Sequence, residues 1–154
     1  MRRALEERRR QQRSAQRVAS EYVRRVREQL GPLTGVLYGS FARGDFNLGS
    51  DIDVLIVCDS LPINPLARSE LLYRFVRGGI EPKGYTTAEF ARMLASNNAT
   101  AVDACEHGIT LWHEGLLSAA MRLASRSAAN RGRVHTGQDR GRPRWHPGAL
   151  PKHR

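Results

Sequence analysis

The residues with most chemical promise lie between Gly39 and Glu81. Asp51 and Asp53 open the strongest apolar run of the chain, Ile52–Val57. On a strand, positions 51 and 53 share a face with Cα atoms about 6 to 7 Å apart, so two carboxylates face the same place. Such anions at the mouth of a buried strand repel each other, and no basic residue occurs between Gly44 and Ala67 to neutralise them. A hard divalent cation with oxygen ligands, Mg2+ first, answers that need. The plainer alternative is a solvated pair at a strand edge. Glu81, beside Ile80 and Pro82 in the next strand-like segment, is either an exposed edge residue or a third carboxylate of the same cluster. Gly39-Ser40 follows another short apolar run. A glycine there lets backbone approach a ligand closely, the amides of a following helical turn can face an anion, and Ser40 adds a hydroxyl donor. Taken alone, the pair is also an ordinary turn.

The elements that must hold these residues can be read from periodicity. Ala15, Val18, Ala19, Tyr22, Val23, Val26 and Leu30 recur at spacings of three and four, which predicts an amphipathic helix over 14–30, ended by Gly31-Pro32. The stretch Arg2 to Arg13 has helix-forming composition without an apolar stripe and reads as a solvated, frayed extension. Strands are expected at Leu33 to Tyr38, Ile52 to Val57 and Gly79 to Tyr85, with Pro82 favouring an edge position or a bulge in the last. Leu66, Leu71, Leu72, Phe75 and Val76 carry helical spacing. Thr86 or Thr87, with Glu89 following, marks a capped helix through Leu94. A helix from Asn98 to Glu106, a strand over Gly108–Trp112 and a helix over 113–125 complete the order. That order predicts an α/β or α+β fold, a small mixed β-sheet flanked by helices. The chain divides into a basic extension (1–13), one domain (14–125) and a basic disordered tail (126–154).

Gly39-Ser40, ten residues, then Asp51-Ile52-Asp53 resembles the Gly-Ser-x10-Asp-x-Asp signature of the minimal nucleotidyltransferases, within the DNA polymerase beta superfamily. The resemblance spans residues 14 to 125 and implies a polymerase beta palm-like fold. It implies that Asp51, Asp53 and Glu81 ligate two Mg2+ ions and are the catalytic residues. Gly39, Ser40 and Ser50 would belong to the nucleotide side, and Arg43, one helical turn beyond Ser40, can reach phosphate. Lys83 can share the face of Glu81. The implied reaction is attack of a hydroxyl on the α-phosphorus of ATP or another NTP, AMP moving and pyrophosphate leaving. Because some members are antitoxins that attach AMP to a toxin of the HEPN fold, the resemblance also implies a protein acceptor.

Charge sets the competing reading. The net charge is +10, but residues 1–30 carry +6, residues 31–125 carry −3 and residues 126–154 carry +7. The excess lies wholly in the two ends, which could bind a nucleic-acid backbone with strong salt dependence. A nucleic-acid-binding module is therefore the alternative function, and a non-catalytic partner subunit a further one. Hydrophobic residues make up 40%, enough for one core. Nowhere does an apolar run reach the roughly 20 residues that span a bilayer, so a cytoplasmic protein is expected. Cys58 and Cys105 form no CxxC pair and read as reduced, buried thiols. His107, His113, His135, His146 and His153 lack zinc spacing, and no Gly-x4-Gly-Lys loop occurs.

Overall fold

A computed structural model describes residues 1–132. The expected tail beyond that point, with His135, His146 and His153, lies outside the described residues. The elements run α1 (Arg2–Leu30), β1 (Thr34–Tyr38), α2 (Gly39–Arg43), β2 (Ile52–Val57), α3 (Pro65–Tyr73), β3 (Ile80–Tyr85), α4 (Thr87–Ala95), α5 (Ala99–His107), β4 (Ile109–Trp112) and α6 (Leu116–Gly132). The strands form one mixed sheet in the order β3-β2-β1-β4, with β2 parallel to β3 and β1 antiparallel to both neighbours. Pro82 thus lies on an edge strand, where its missing N–H costs no ladder bond.

Each face of the sheet buries a separate apolar cluster. On one, Leu37, Val54 and Ile56 meet Ala19, Tyr22, Val23 and Val26 of α1 and Leu72 of α3. On the other, Val36, Tyr38, Leu55 and Val57 meet Phe90 and Leu94 of α4, Ala101 and Ala104 of α5, and Leu117, Met121 and Ala124 of α6. This alternation is the period-two pattern of a strand covered on both sides. Local chemistry sets the helix starts. Thr86 and Glu89 form the reciprocal capping box of α4, while the side chains of Asn64 and Asn98 accept the first free amides of α3 and α5. Both thiols are reduced; burial pushes Cys58 up and takes Cys105 to about 12. Among the described residues no helix is long and apolar enough to cross a membrane.

Two boundaries differ from expectation. The helix α1 is unbroken from Arg2, and its first half is docked rather than frayed. Arg8 donates through Nε to the Gly44 carbonyl (2.9 Å) and through Nη2 to that of Phe46 (2.8 Å), and its guanidinium lies 4.6 Å over the Phe46 ring. Gln12 Nε2 donates to the Phe41 carbonyl at 2.7 Å. These polar side chains capture carbonyls that a turn distant in sequence leaves free. The helix α6 likewise continues past Ser125 to Gly132, into the stretch expected to be a disordered tail, with Ala120, Met121 and Ala124 of its earlier turns packed in the same cluster as α4.

The approach of α1 to the sheet depends on Gly35. A Cβ there would stand 2.6 and 2.7 Å from the two methyl carbons of Val23, which is 1% exposed. Gly35→Ala is therefore expected to destabilise the fold by about 1 to 3 kcal/mol, as overpacking against a stiff β-branched side chain does. Urea unfolding measures this; an unchanged midpoint would mean that α1 does not pack tightly on β1.

Candidate active site

The sheet register assembles the expected acids. Asp53 of β2 pairs with Tyr38 of β1 on one side and with Glu81 of β3 on the other. Residues directly across from one another project to the same face, so Asp53 and Glu81 extend the row of Leu55 and Lys83 on the α4–α6 side. Asp51, two residues before Asp53, is exposed just ahead of β2. Ile52 N–H donates to the Gly79 carbonyl (2.7 Å) and starts the parallel pairing that brings Glu81 alongside.

Partners, or their absence, separate these acids from the rest. The other half-buried carboxylates each hold a guanidinium: Glu89 with Arg68, Glu114 with Arg27, and Asp103 with Arg43. Among the described residues, the carboxylates of Asp51, Asp53 and Glu81 accept no hydrogen bond and join no ion pair. Burial first, then the charge of Glu81, raises the Asp53 carboxyl above the usual range; Asp51 and Asp103 add to the effect and Lys83 offsets part of it. The neighbouring Tyr38 hydroxyl is buried without a partner among the described residues, and burial with the charges of Asp53 and Glu81 pushes it well above the phenol range.

The Gly39-Ser40 turn lies against this cluster. Gly39 has φ +72°, and a Cβ built on it would stand 2.2 Å from Asp53 Oδ2. Only glycine allows both the left-handed backbone and the close approach of the carboxylate. Ser40 is half-buried; its carbonyl accepts the Gly44 and Asp45 amides at 2.8 and 3.1 Å, closing the single turn of α2. The other two residues expected on the nucleotide side have occupations of their own. Ser50 Oγ accepts the Asn47 amide at 2.8 Å and closes the turn before Asp51. Arg43 binds Asp45 at 3.2 Å through Nε and Asp103 at 2.9 Å through Nη1.

Asp103 is a member of this neighbourhood that sequence reasoning missed. It sits on α5, far along the chain, and its only local signature is an acidic residue on a short helix. The expected zinc-free histidines also find places: His107 Nδ1 lies 3.4 Å from Asp103 Oδ1. A groove of about 620 Å3 runs along β3, lined by Arg68, Leu72, Pro82, Lys83, Tyr85 and Arg92 among others. Lys83 belongs both to this groove and to the surroundings of Asp53.

The donor set fits a hard divalent cation: oxygen ligands only, with negative charge that the chain leaves uncompensated. Among the described residues, however, no three acidic, histidine or cysteine side chains already form a group that could hold an ion. The acids share a face without forming a finished cage.

Comparison with known proteins agrees with this arrangement. Residues 19–77, which include Gly39, Ser40, Asp51 and Asp53, match the family model of the nucleotidyltransferase domain. Among solved structures, one from Sulfolobus solfataricus, provisionally assigned as a nucleotidyltransferase, has 24% identity and a TM-score of 0.51, over 67% of this chain and 84% of that chain; it shares the fold. Two weaker matches are a toxin-antitoxin with AMP-PNP (16% identity, TM-score 0.46) and a mutant of the toxin-antitoxin MntA-HpeT (15%, 0.45), each over 75% of this chain and 94% of that chain. No curated protein matches the chain. The matched span thus contains the Gly39-Ser40 turn and the Asp51/Asp53 pair and resembles a nucleotidyltransferase domain there, while Glu81 and Asp103 lie beyond it.

Proposed function

We propose that the chain moves AMP from ATP onto a hydroxyl of a protein partner, with Mg2+ held by Asp51, Asp53 and Glu81. One observation carries this reading: the half-buried carboxylates of Asp53 and Glu81 face one another without partners, beside a glycine turn, while every other half-buried acid is neutralised by an arginine. Such charge costs stability and is explained if a ligand needs it. Two bound ions would supply charge neutralisation on the triphosphate and a lowered pKa for the attacking hydroxyl. The chain's own part is positioning. In this reading the Gly39 amide and the Arg43 guanidinium would be the donors that take phosphate oxygens. Ser40 adds its hydroxyl beside them. Glu81, one residue before Pro82 of the groove along β3, would receive the proton of the incoming hydroxyl, while Lys83 in the groove lining adds positive charge beside it.

The partner enters through that groove in this reading. Its lining of Leu72, Pro82 and Tyr85 with Arg68, Lys83 and Arg92 offers apolar contact and basic charge to a protein segment that presents a hydroxyl. The family resemblance supplies the class of partner, a HEPN-fold protein encoded as the toxin of the pair.

Transfer and stability are expected to respond in opposite directions when the carboxylates are neutralised, which separates loss of function from loss of fold. With Mg-ATP and the partner, intact mass should show one added AMP for the wild type. The Asp51→Asn/Asp53→Asn variant should show none, a loss of at least about a hundredfold given how far two-metal chemistry depends on its carboxylates. Stability should move the other way. The Asp53 carboxyl is raised in the fold, so the native state binds its proton more tightly than the unfolded chain, and stability falls as pH rises from the ordinary Asp range through the raised value. Above the raised value the penalty is fully present, so Asp53→Asn should raise Tm there. A variant that keeps transfer activity, or one that loses it together with Tm, would contradict the assignment.

A further inference from the structure

The Gly39 amide and the Arg43 guanidinium are both engaged by one side chain. Asp103 Oδ2 accepts from Gly39 N–H at 2.9 Å, and Arg43 Nη1 donates to Asp103 Oδ1 and Oδ2 at 2.9 Å each. His107 flanks the same carboxylate at 3.4 Å. Asp45 takes the Nε side of Arg43. A carboxylate and a phosphate make the same demand on such donors, namely charge-assisted N–H bonds to anionic oxygens.

We propose that Asp103 competes with the nucleotide's phosphate for the Gly39 amide and Arg43, and so sets the affinity of the site. The inference rests on the reading of this turn as the phosphate-binding side of the nucleotidyl-transfer site. Its physical content is a competition. Nucleotide reaches the two donors when the Asp103 contacts open, so apparent affinity is the intrinsic affinity multiplied by the fraction of molecules in which they are open. Asp103 also places a further negative charge near Asp53, where a triphosphate must come. Both effects act in one direction, against binding. A side chain that merely braces the Gly39-Ser40 turn would act in the other, because its loss would loosen the donors and weaken binding.

Titration calorimetry of the full chain with Mg-ATP decides between them. Asp103→Ala is expected to bind Mg-ATP about three- to tenfold more tightly than the wild type, the range expected from freeing a partly exposed ion pair. Asp103→Asn serves as the second variant: it keeps the side chain's size and an acceptor for the Gly39 amide but not the charge, and it too should bind more tightly. Circular dichroism identifies a variant that fails to fold, in which case the other decides. If the wild type binds Mg-ATP and the folded variants bind it equally or more weakly, the competition is overturned and the site assignment stands. If neither the wild type nor either variant binds Mg-ATP, the nucleotide reading itself is overturned.

Discussion

The contact between Gly39 and the Asp53 carboxylate is the constraint around which the site is built. With only 2.2 Å between Asp53 Oδ2 and the place where a Cβ would stand, no other residue type can occupy position 39 without moving the acid. The contact is fixed from both sides. Antiparallel pairing of β1 and β2 places Tyr38 opposite Asp53, and parallel pairing of β2 and β3 places Glu81 on its other flank. A slip of one residue in either pairing would turn an acid to the α1 side of the sheet, among Val54, Ile56 and Tyr22. The apolar clusters on the two faces therefore hold the register of the site as well as the stability of the domain.

Charge is distributed along the same lines. Arg27 and the Leu33 amide tie down Glu114, linking α1 to the loop after β4. Arg68 bridges Glu89 to the Gly84 carbonyl, locking α3 and α4 onto the edge strand. Asp59 accepts both the amide and the hydroxyl of Thr87 at the start of α4. Wherever an acid serves the scaffold, the chain supplies its donors. At Asp53 and Glu81 it does not, and the raised Asp53 carboxyl is the physical mark of that difference.

Most of this was legible in the sequence because it is local. The span Ile52–Val57 was read from its apolar run, the α4 cap from Thr86 or Thr87 with Glu89, and an edge position or a bulge in β3 from Pro82; the structure has Thr86 as the cap and β3 at the edge. The spacing between Gly39-Ser40 and Asp51-Ile52-Asp53 carried the resemblance to the nucleotidyltransferases, and the matched span contains both motifs. What could not be read depends on contacts between segments far apart in the chain. Nothing near Arg8 or Gln12 announces that the turn over 41–46 will offer its carbonyls to them. Asp103 becomes part of the site only because α5 packs beside α2, and Arg43 looks like an unengaged phosphate ligand until that packing gives it a carboxylate. Local pattern located the charged groups; tertiary packing decided which of them neutralise one another.

If the unpaired carboxylates at β2 and β3 are a cation site, a divalent ion must bind the folded chain and not the unfolded one, and so must raise its stability by mass action. Thermal unfolding of the full chain across a Mn2+ or Mg2+ titration tests this directly, without nucleotide or partner. A saturable rise in Tm that disappears in Asp51→Asn/Asp53→Asn is the predicted result. A Tm independent of the ion, or a rise of equal size in the variant, would contradict it.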